Sequence, residues 1–97
     1  MQIPVVREGN TSVFSQFTIQ IDDRDRVRAR LEQKGIPTAV HYPVPLHLQP
    51  VFAYLGYGVG AYPIAEAVAR KVLSLPMHPY LTTEEIAFIS ENVLNSV

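Results

Sequence analysis

Residues 13–35 read VFSQFTIQIDDRDRVRARLEQKG, and a change of hydrophobic period inside them decides the fold. In VFSQFTIQI, residues 13–21, Val13, Ser15, Phe17, Ile19 and Ile21 share one face, while Phe14, Gln16, Thr18 and Gln20 share the other. Alternation of this kind predicts a strand covered mainly on one side. DDRDRVRARLEQKG then predicts a helix. Asp22 or Asp23 is expected to accept a hydrogen bond from the free N–H groups of its first turn. Val27 and Leu31, one turn apart, make a narrow inward stripe, with the arginines mostly on the other faces. Gly35 supplies a left-handed stop, and Lys34 suits the negative helix end.

Before this unit, residues 1–12 predict an extended lead-in with a turn at EGNTS. After it, IPTAVHY (36–42) predicts a second strand whose Pro37 belongs at its start or edge. Pro43 and Pro45 then force the chain out of the sheet. A short helix is expected over about Gln49 to Leu55, with Pro50 in its first turn. Pro63 opens another helix, with Ile64, Ala67, Val68 and Val72 expected on its inner face. LSLP (73–76) predicts a third strand. Thr82 and Glu85 have the spacing of a capping box, and Ile86, Ile89 and Val93 recur at helical intervals to the C-terminus. The order β-α-β-α-α-β-α predicts a single two-layer α+β domain, a sheet of about three strands with helices packed on one face.

Composition bounds the rest. The chain has 97 residues, 47% hydrophobic and 18% charged, which suits one globular domain. A net charge of −1 gives no footprint for nucleic acid. No apolar run reaches the ~18–20 residues of a membrane span. The absence of cysteine fits a reducing compartment, and a cytoplasmic protein is expected.

His41 and Tyr42 end the second predicted strand, so their side chains should point to opposite faces. Two readings stand side by side. One is a half-buried histidine satisfied by a carbonyl beside an amphipathic tyrosine; the other is the rim of a ligand pocket at a proline-fixed corner. His41 and His47 are wrongly spaced for two ligands on one helix face, and no metal site is expected. His78, between prolines, reads as a hydrogen-bonded loop residue. Lys34 and Lys71, the only lysines, fall near helix ends on the surface, unlike the desolvated amine of Schiff-base chemistry. The glycines of GYGVGAY (56–62) lack the strand-before, helix-after setting of a phosphate loop, and no Gly-x-Ser-x-Gly elbow occurs. These residues alone compose no catalytic constellation.

GIPTAVHYPVPLHLQPVF (35–52) and YPIAEAVARKVLSLPMHPYLT (62–82) together resemble the C-terminal region of the DegT-type sugar aminotransferases. These are pyridoxal-phosphate enzymes of the aspartate-aminotransferase fold. The resemblance runs from about Ser12 to the end of the chain and includes the HYP-x-PLH-x-QP, P-x-AE and SLPMHP-x-LT blocks in order. It implies that residues 1–97 are the C-terminal small domain of a larger enzyme, whose large domain holds pyridoxal phosphate and the Schiff-base lysine. No catalytic or cofactor-binding residue is expected in this chain, which alone would be inactive. The resemblance further implies that His41 and Tyr42 face a nucleotide-linked keto sugar, such as a 3-keto uronic acid derivative for surface polysaccharide. L-Glutamate is the implied amino donor and a homodimer the implied assembly. His47 receives no role. The alternative is a stand-alone, non-catalytic ligand-binding or interaction module. Either way the isolated chain is expected to self-associate, through the first strand's edge or the face bearing Phe14.

Overall fold

The computed structural model describes residues 1–97. It places β1 at Phe17–Gln20, α1 at Arg24–Gln33, α2 at Pro63–Lys71, β2 at Val72–Leu75 and α3 at Thr83–Ser96, with two short 3-10 helices at Leu46–Leu48 and Pro50–Leu55. The architecture is α+β, as expected, but the sheet has two strands rather than three. β1 and β2 are antiparallel, with Thr18 opposite Ser74 and Ile19 opposite Leu73. The predicted second strand survives only as a bridge between Ala39 and Ser74, whose N–H and carbonyl groups are exchanged at 3.1 and 2.7 Å.

The cause is visible one step along each way. In an antiparallel ladder the hydrogen-bonded pairs recur every second residue. On one side the next pair would be Pro37 with Pro76, neither of which has an N–H. On the other it would be His41 with Val72, whose carbonyl already accepts from Arg24 Nη1 at 3.0 Å. β1 is also shorter than expected. Phe14 has φ 45°, which breaks the alternation, and Val13, expected on the buried face, is 93% exposed. The lead-in is tied at Gln2, which exchanges two backbone bonds of 2.8 Å with Gln20.

Ile19, Ile21, Val27, Leu31, Ile36, Leu73 and Val93 form the core between one sheet face and helices α1 and α3. α1 ends in a Schellman motif: Ile36 N–H donates to Leu31 O at 3.0 Å and Gly35 N–H to Glu32 O at 2.9 Å, with Gly35 at φ 75°. Its start departs from expectation. Asp23 occupies the N-cap with φ 53° and caps nothing; its carboxylate pairs with Arg26 at 2.7 Å, and that of Asp22 pairs with Lys71 at 2.8 Å. Three arginines were drawn into structural work. Arg24 is buried, and Arg26 and Arg30 reach the Ser96 carbonyl at 3.4 and 3.5 Å. The capping box of α3 forms as read, with Glu85 N–H donating to Thr82 Oγ1 at 3.1 Å and Thr82 N–H to Glu85 Oε2 at 2.8 Å.

Of the residues expected on the inner face of α2, Ala67 and Val68 are half-buried and Val72, the first residue of β2, is buried, but Ile64 is 80% exposed, and Glu66 and Ala69 are buried instead. The inward face therefore includes a carboxylate, and that carboxylate organises the candidate site.

Candidate functional site

Past the Ala39 bridge the chain leaves the sheet at His41 and Tyr42, both exposed, Tyr42 at 69%. They do not point to opposite faces. Their rings stand edge to face, centroids 5.3 Å apart and planes at 67°, because neither residue lies in a strand. His41 borders two shallow clefts. One, about 290 Å³, has a mixed lining, with Ser15, Gln16, Thr38 and Ser74 beside Leu75, Pro76 and Met77; the Ser74 hydroxyl meets that of Thr18 at 2.8 Å. The other, about 180 Å³, is walled by Tyr42, Val44, Leu46, Val68 and Val72. The pair thus joins a hollow of mixed lining, with four hydroxyl or amide side chains, to an apolar one, which suits a ligand with a hydroxylated part and a flat part.

The corner rests on a buried pair that the sequence reading passed over. His47 Nε2 lies 2.8 Å from Glu66 Oε1, with both side chains buried. Gly60 N–H donates to both oxygens of the same carboxylate, at 2.8 and 3.1 Å. The His47 hydrogen bond, opposed by burial and helped by the Gly60 N–H, holds the Glu66 carboxyl below the usual glutamate range. The Tyr62 ring stands edge to face on His47 at 4.9 Å and on Tyr57 at 5.3 Å, and the hydrogen bond with Tyr57 raises the Tyr62 phenol. The sequence carried one usable signal. Glu66 sits three residues before Ala69, on the face that leads into β2, where an unpaired carboxylate would be costly.

His78 behaves as read, its Nδ1 accepting from Tyr80 N–H at 3.2 Å. It borders the largest cleft, about 460 Å³, with Ile36, Pro37, Phe88 and Ile89. Glu84 and Glu85 also line that cleft, and neither His41 nor Tyr42 does. No three His, Asp or Glu side chains gather as a metal-ligand set, and no helix is long and apolar enough to cross a membrane.

An α+β unit of this build is a region of the aminotransferase fold. The DegT/DnrJ/EryC1/StrS aminotransferase family matches residues 1–94, and the chain belongs to that family. It is 42% identical over 92 residues to the UDP-2-acetamido-2-deoxy-3-oxo-D-glucuronate aminotransferase of Pseudomonas aeruginosa, covering 95% of this chain and 25% of that protein. It is 49% identical over 86 residues to a pleiotropic regulatory protein of Geobacillus stearothermophilus, covering 89% of this chain and 23% of that protein. Among solved structures, S. venezuelae DesV superposes with TM-score 0.91 at 37% identity, over 97% of this chain and 25% of that one. An aminotransferase from Brucella abortus superposes with TM-score 0.88 at 34% identity, over 97% of this chain and 25% of that one. The chain therefore spans about a quarter of the length of these relatives, in their C-terminal part.

Aminotransferases of this family use pyridoxal phosphate. The residues here do not compose a site for it. Lys71 is 48% exposed and paired with Asp22, and Lys34 is the C-cap of α1. Neither lines the clefts at His41. A Schiff-base amine needs desolvation that both lack.

Proposed function

We propose that this chain is the C-terminal small domain of an aminotransferase that moves an amino group from L-glutamate to a nucleotide-linked keto sugar. The acceptor class includes 3-keto uronic acid derivatives used in surface polysaccharide. In this reading the enzyme is a cytoplasmic homodimer, and its large domain holds the pyridoxal phosphate and the lysine that moves the proton. Residues 1–97 orient the sugar nucleotide and close one side of the cleft. One observation carries the reading: His41 and Tyr42 are both exposed at a corner between a hollow of mixed lining and an apolar one. An imidazole and a phenol each offer a flat apolar body with a polar tip, suited to a sugar hydroxyl and a base.

The test is kinetic, on the full-length enzyme. Tyr42→Ala or His41→Ala is expected to raise the KM for the nucleotide sugar about tenfold, equivalent to ~1.4 kcal/mol of lost binding. The half-reaction with the amino donor should be unchanged. Equal KM values for wild type and both variants would remove the assignment.

A second reading, a stand-alone ligand-binding or interaction module, is favoured by the closed seven-residue core, the self-contained C-terminal stop of α1 and the capping box of α3. Calorimetric titration of the 97-residue chain with nucleotide sugars separates the two. Tight binding without a large domain supports the module; no binding supports the enzyme piece.

A further inference from the structure

The corner that carries His41 and Tyr42 is poorly tied to the rest of the molecule. From residue 40 to residue 61 the backbone hydrogen bonds outside regular elements are local, such as Leu48 N–H to Pro45 O at 2.9 Å and Phe52 N–H to Gln49 O at 2.9 Å. Apart from the contacts of Tyr57 and His47 with the exposed Tyr62 ring, the polar side-chain links that leave this segment end on one group, the Glu66 carboxylate, reached by His47 and by Gly60 N–H. Val44, Pro45 and Leu46 share an apolar cleft with Ala65, Val68 and Ala69 of α2, but apolar burial of this kind is non-directional and does not set the azimuth of a loop. Direction comes from the hydrogen bonds.

We propose that Glu66 is the positioning residue for the His41–Tyr42 corner, acting through His47 on one side and Gly60 on the other without touching ligand. The inference rests on the reading of His41 and Tyr42 as sugar-nucleotide contacts. The lever is short. Four residues separate Tyr42 from His47, and two of them, Pro43 and Pro45, have φ fixed by their rings. Displacing His47 therefore displaces Tyr42 instead of being absorbed between them. On the far side Gly60, at φ 91°, takes a backbone conformation that other residues adopt only with strain, and in it the N–H is aimed at the carboxylate. Glu66 itself lies in the first turn of α2, which enters β2 with no intervening loop, so the anchor is rigid.

The full-length enzyme tests this with Glu66→Ala, Glu66→Gln, His47→Ala and the Glu66→Ala/His47→Ala double variant. The readouts are the KM for the nucleotide sugar, the rate of the amino-donor half-reaction, and the unfolding midpoint. Glu66→Ala and His47→Ala are each expected to raise the KM about tenfold or more while the donor half-reaction stays within about twofold. The double variant should be no worse than the worse single, since both break one linkage. Glu66→Gln should recover part of the loss, because its amide oxygen still accepts from Gly60. An unchanged KM, or equal losses in both half-reactions, overturns the proposal. Should the alanine variants fail to fold, Glu66→Gln decides it by hydrogen exchange: amides between Tyr42 and Leu48 are expected to exchange faster than in wild type, and unchanged exchange with unchanged KM overturns it. His41→Ala and Tyr42→Ala serve as references. If they raise the KM and the Glu66 and His47 variants do not, this inference alone falls; if they too leave it unchanged, the site reading falls with it.

Discussion

The Arg24 guanidinium donates to the Val72 carbonyl at 3.0 Å across 48 residues of sequence, at the point where α2 becomes β2. A second bond from the same nitrogen reaches Ala69 O at 3.1 Å, and Arg24 Nε pairs with the neighbouring Asp25 at 2.6 Å. A helix that runs straight into a strand leaves its last carbonyls without intrahelical donors. Arg24 supplies them from α1. Replacing it with methionine keeps the stem and orphans both carbonyls. The expected loss of unfolding free energy is about 1–3 kcal/mol per orphaned group, read by urea denaturation. The exposed Arg28→Met should stay within about 0.5 kcal/mol.

Glu66 gives the stability a pH dependence with a definite sign. Its folded-state carboxyl binds a proton less readily than in the unfolded chain, first because of the His47 hydrogen bond. Its contribution is complete above the ordinary glutamate range and is lost as pH falls through the depressed folded value. Asp22, lowered mainly by its Lys71 hydrogen bond, and Glu85, lowered mainly by the Thr82 N–H, act in the same direction. The difference between wild type and Glu66→Gln isolates one group. Unfolding midpoints measured from neutral pH down to about 3 should converge as the acid limit is approached; a constant gap would show that Glu66 is not the titrating group.

Place in the fold separates two aliphatic side chains that look alike in sequence. Leu31 is fully buried in the core, and Ile64 points to solvent. Leu31→Ala is expected to cost about 2–5 kcal/mol, and Ile64→Ser less than about 0.5 kcal/mol. Chemical denaturation of both variants is the check. A large loss at Ile64 would put it back on the inner face.

The isolated chain should associate with itself. Its radius of gyration is 15.6 Å, against about 12.5 Å for a compact chain of this length. Val13, Val59 and Tyr80 are all strongly exposed, while Phe14 folds back on Phe17 with ring centroids 5.6 Å apart. Sedimentation velocity is expected to show a mass average that rises with concentration, and Val13→Asp with Val59→Asp should reduce it. A monomer at every concentration would contradict the expectation.

Local signals in the sequence were legible wherever neighbouring residues decide the outcome. The Thr82–Glu85 box, the Gly35 stop, Pro63 at the start of α2 and the Val27–Leu31 stripe each satisfy their own turn of helix, and each formed as read. The length of the second strand was not legible. Whether Ala39 extends into a ladder depends on which residues lie across from it, and Pro76 and an already occupied Val72 carbonyl are there. The candidate corner was half legible. His41 and Tyr42 could be picked out beside Pro43 and Pro45, but the mutual orientation of their rings could not.

By itself the sequence determined the order of the three α-helices, their turn points, the α+β class and the family, because caps, prolines, glycines and motif blocks act over a few residues. Only the tertiary structure decided which face of α2 is buried, what Arg24 and Glu66 are for, and how few strands the sheet holds. Each of those depends on a partner many residues away, and a side chain's role is set by the donor or acceptor that the fold brings to it.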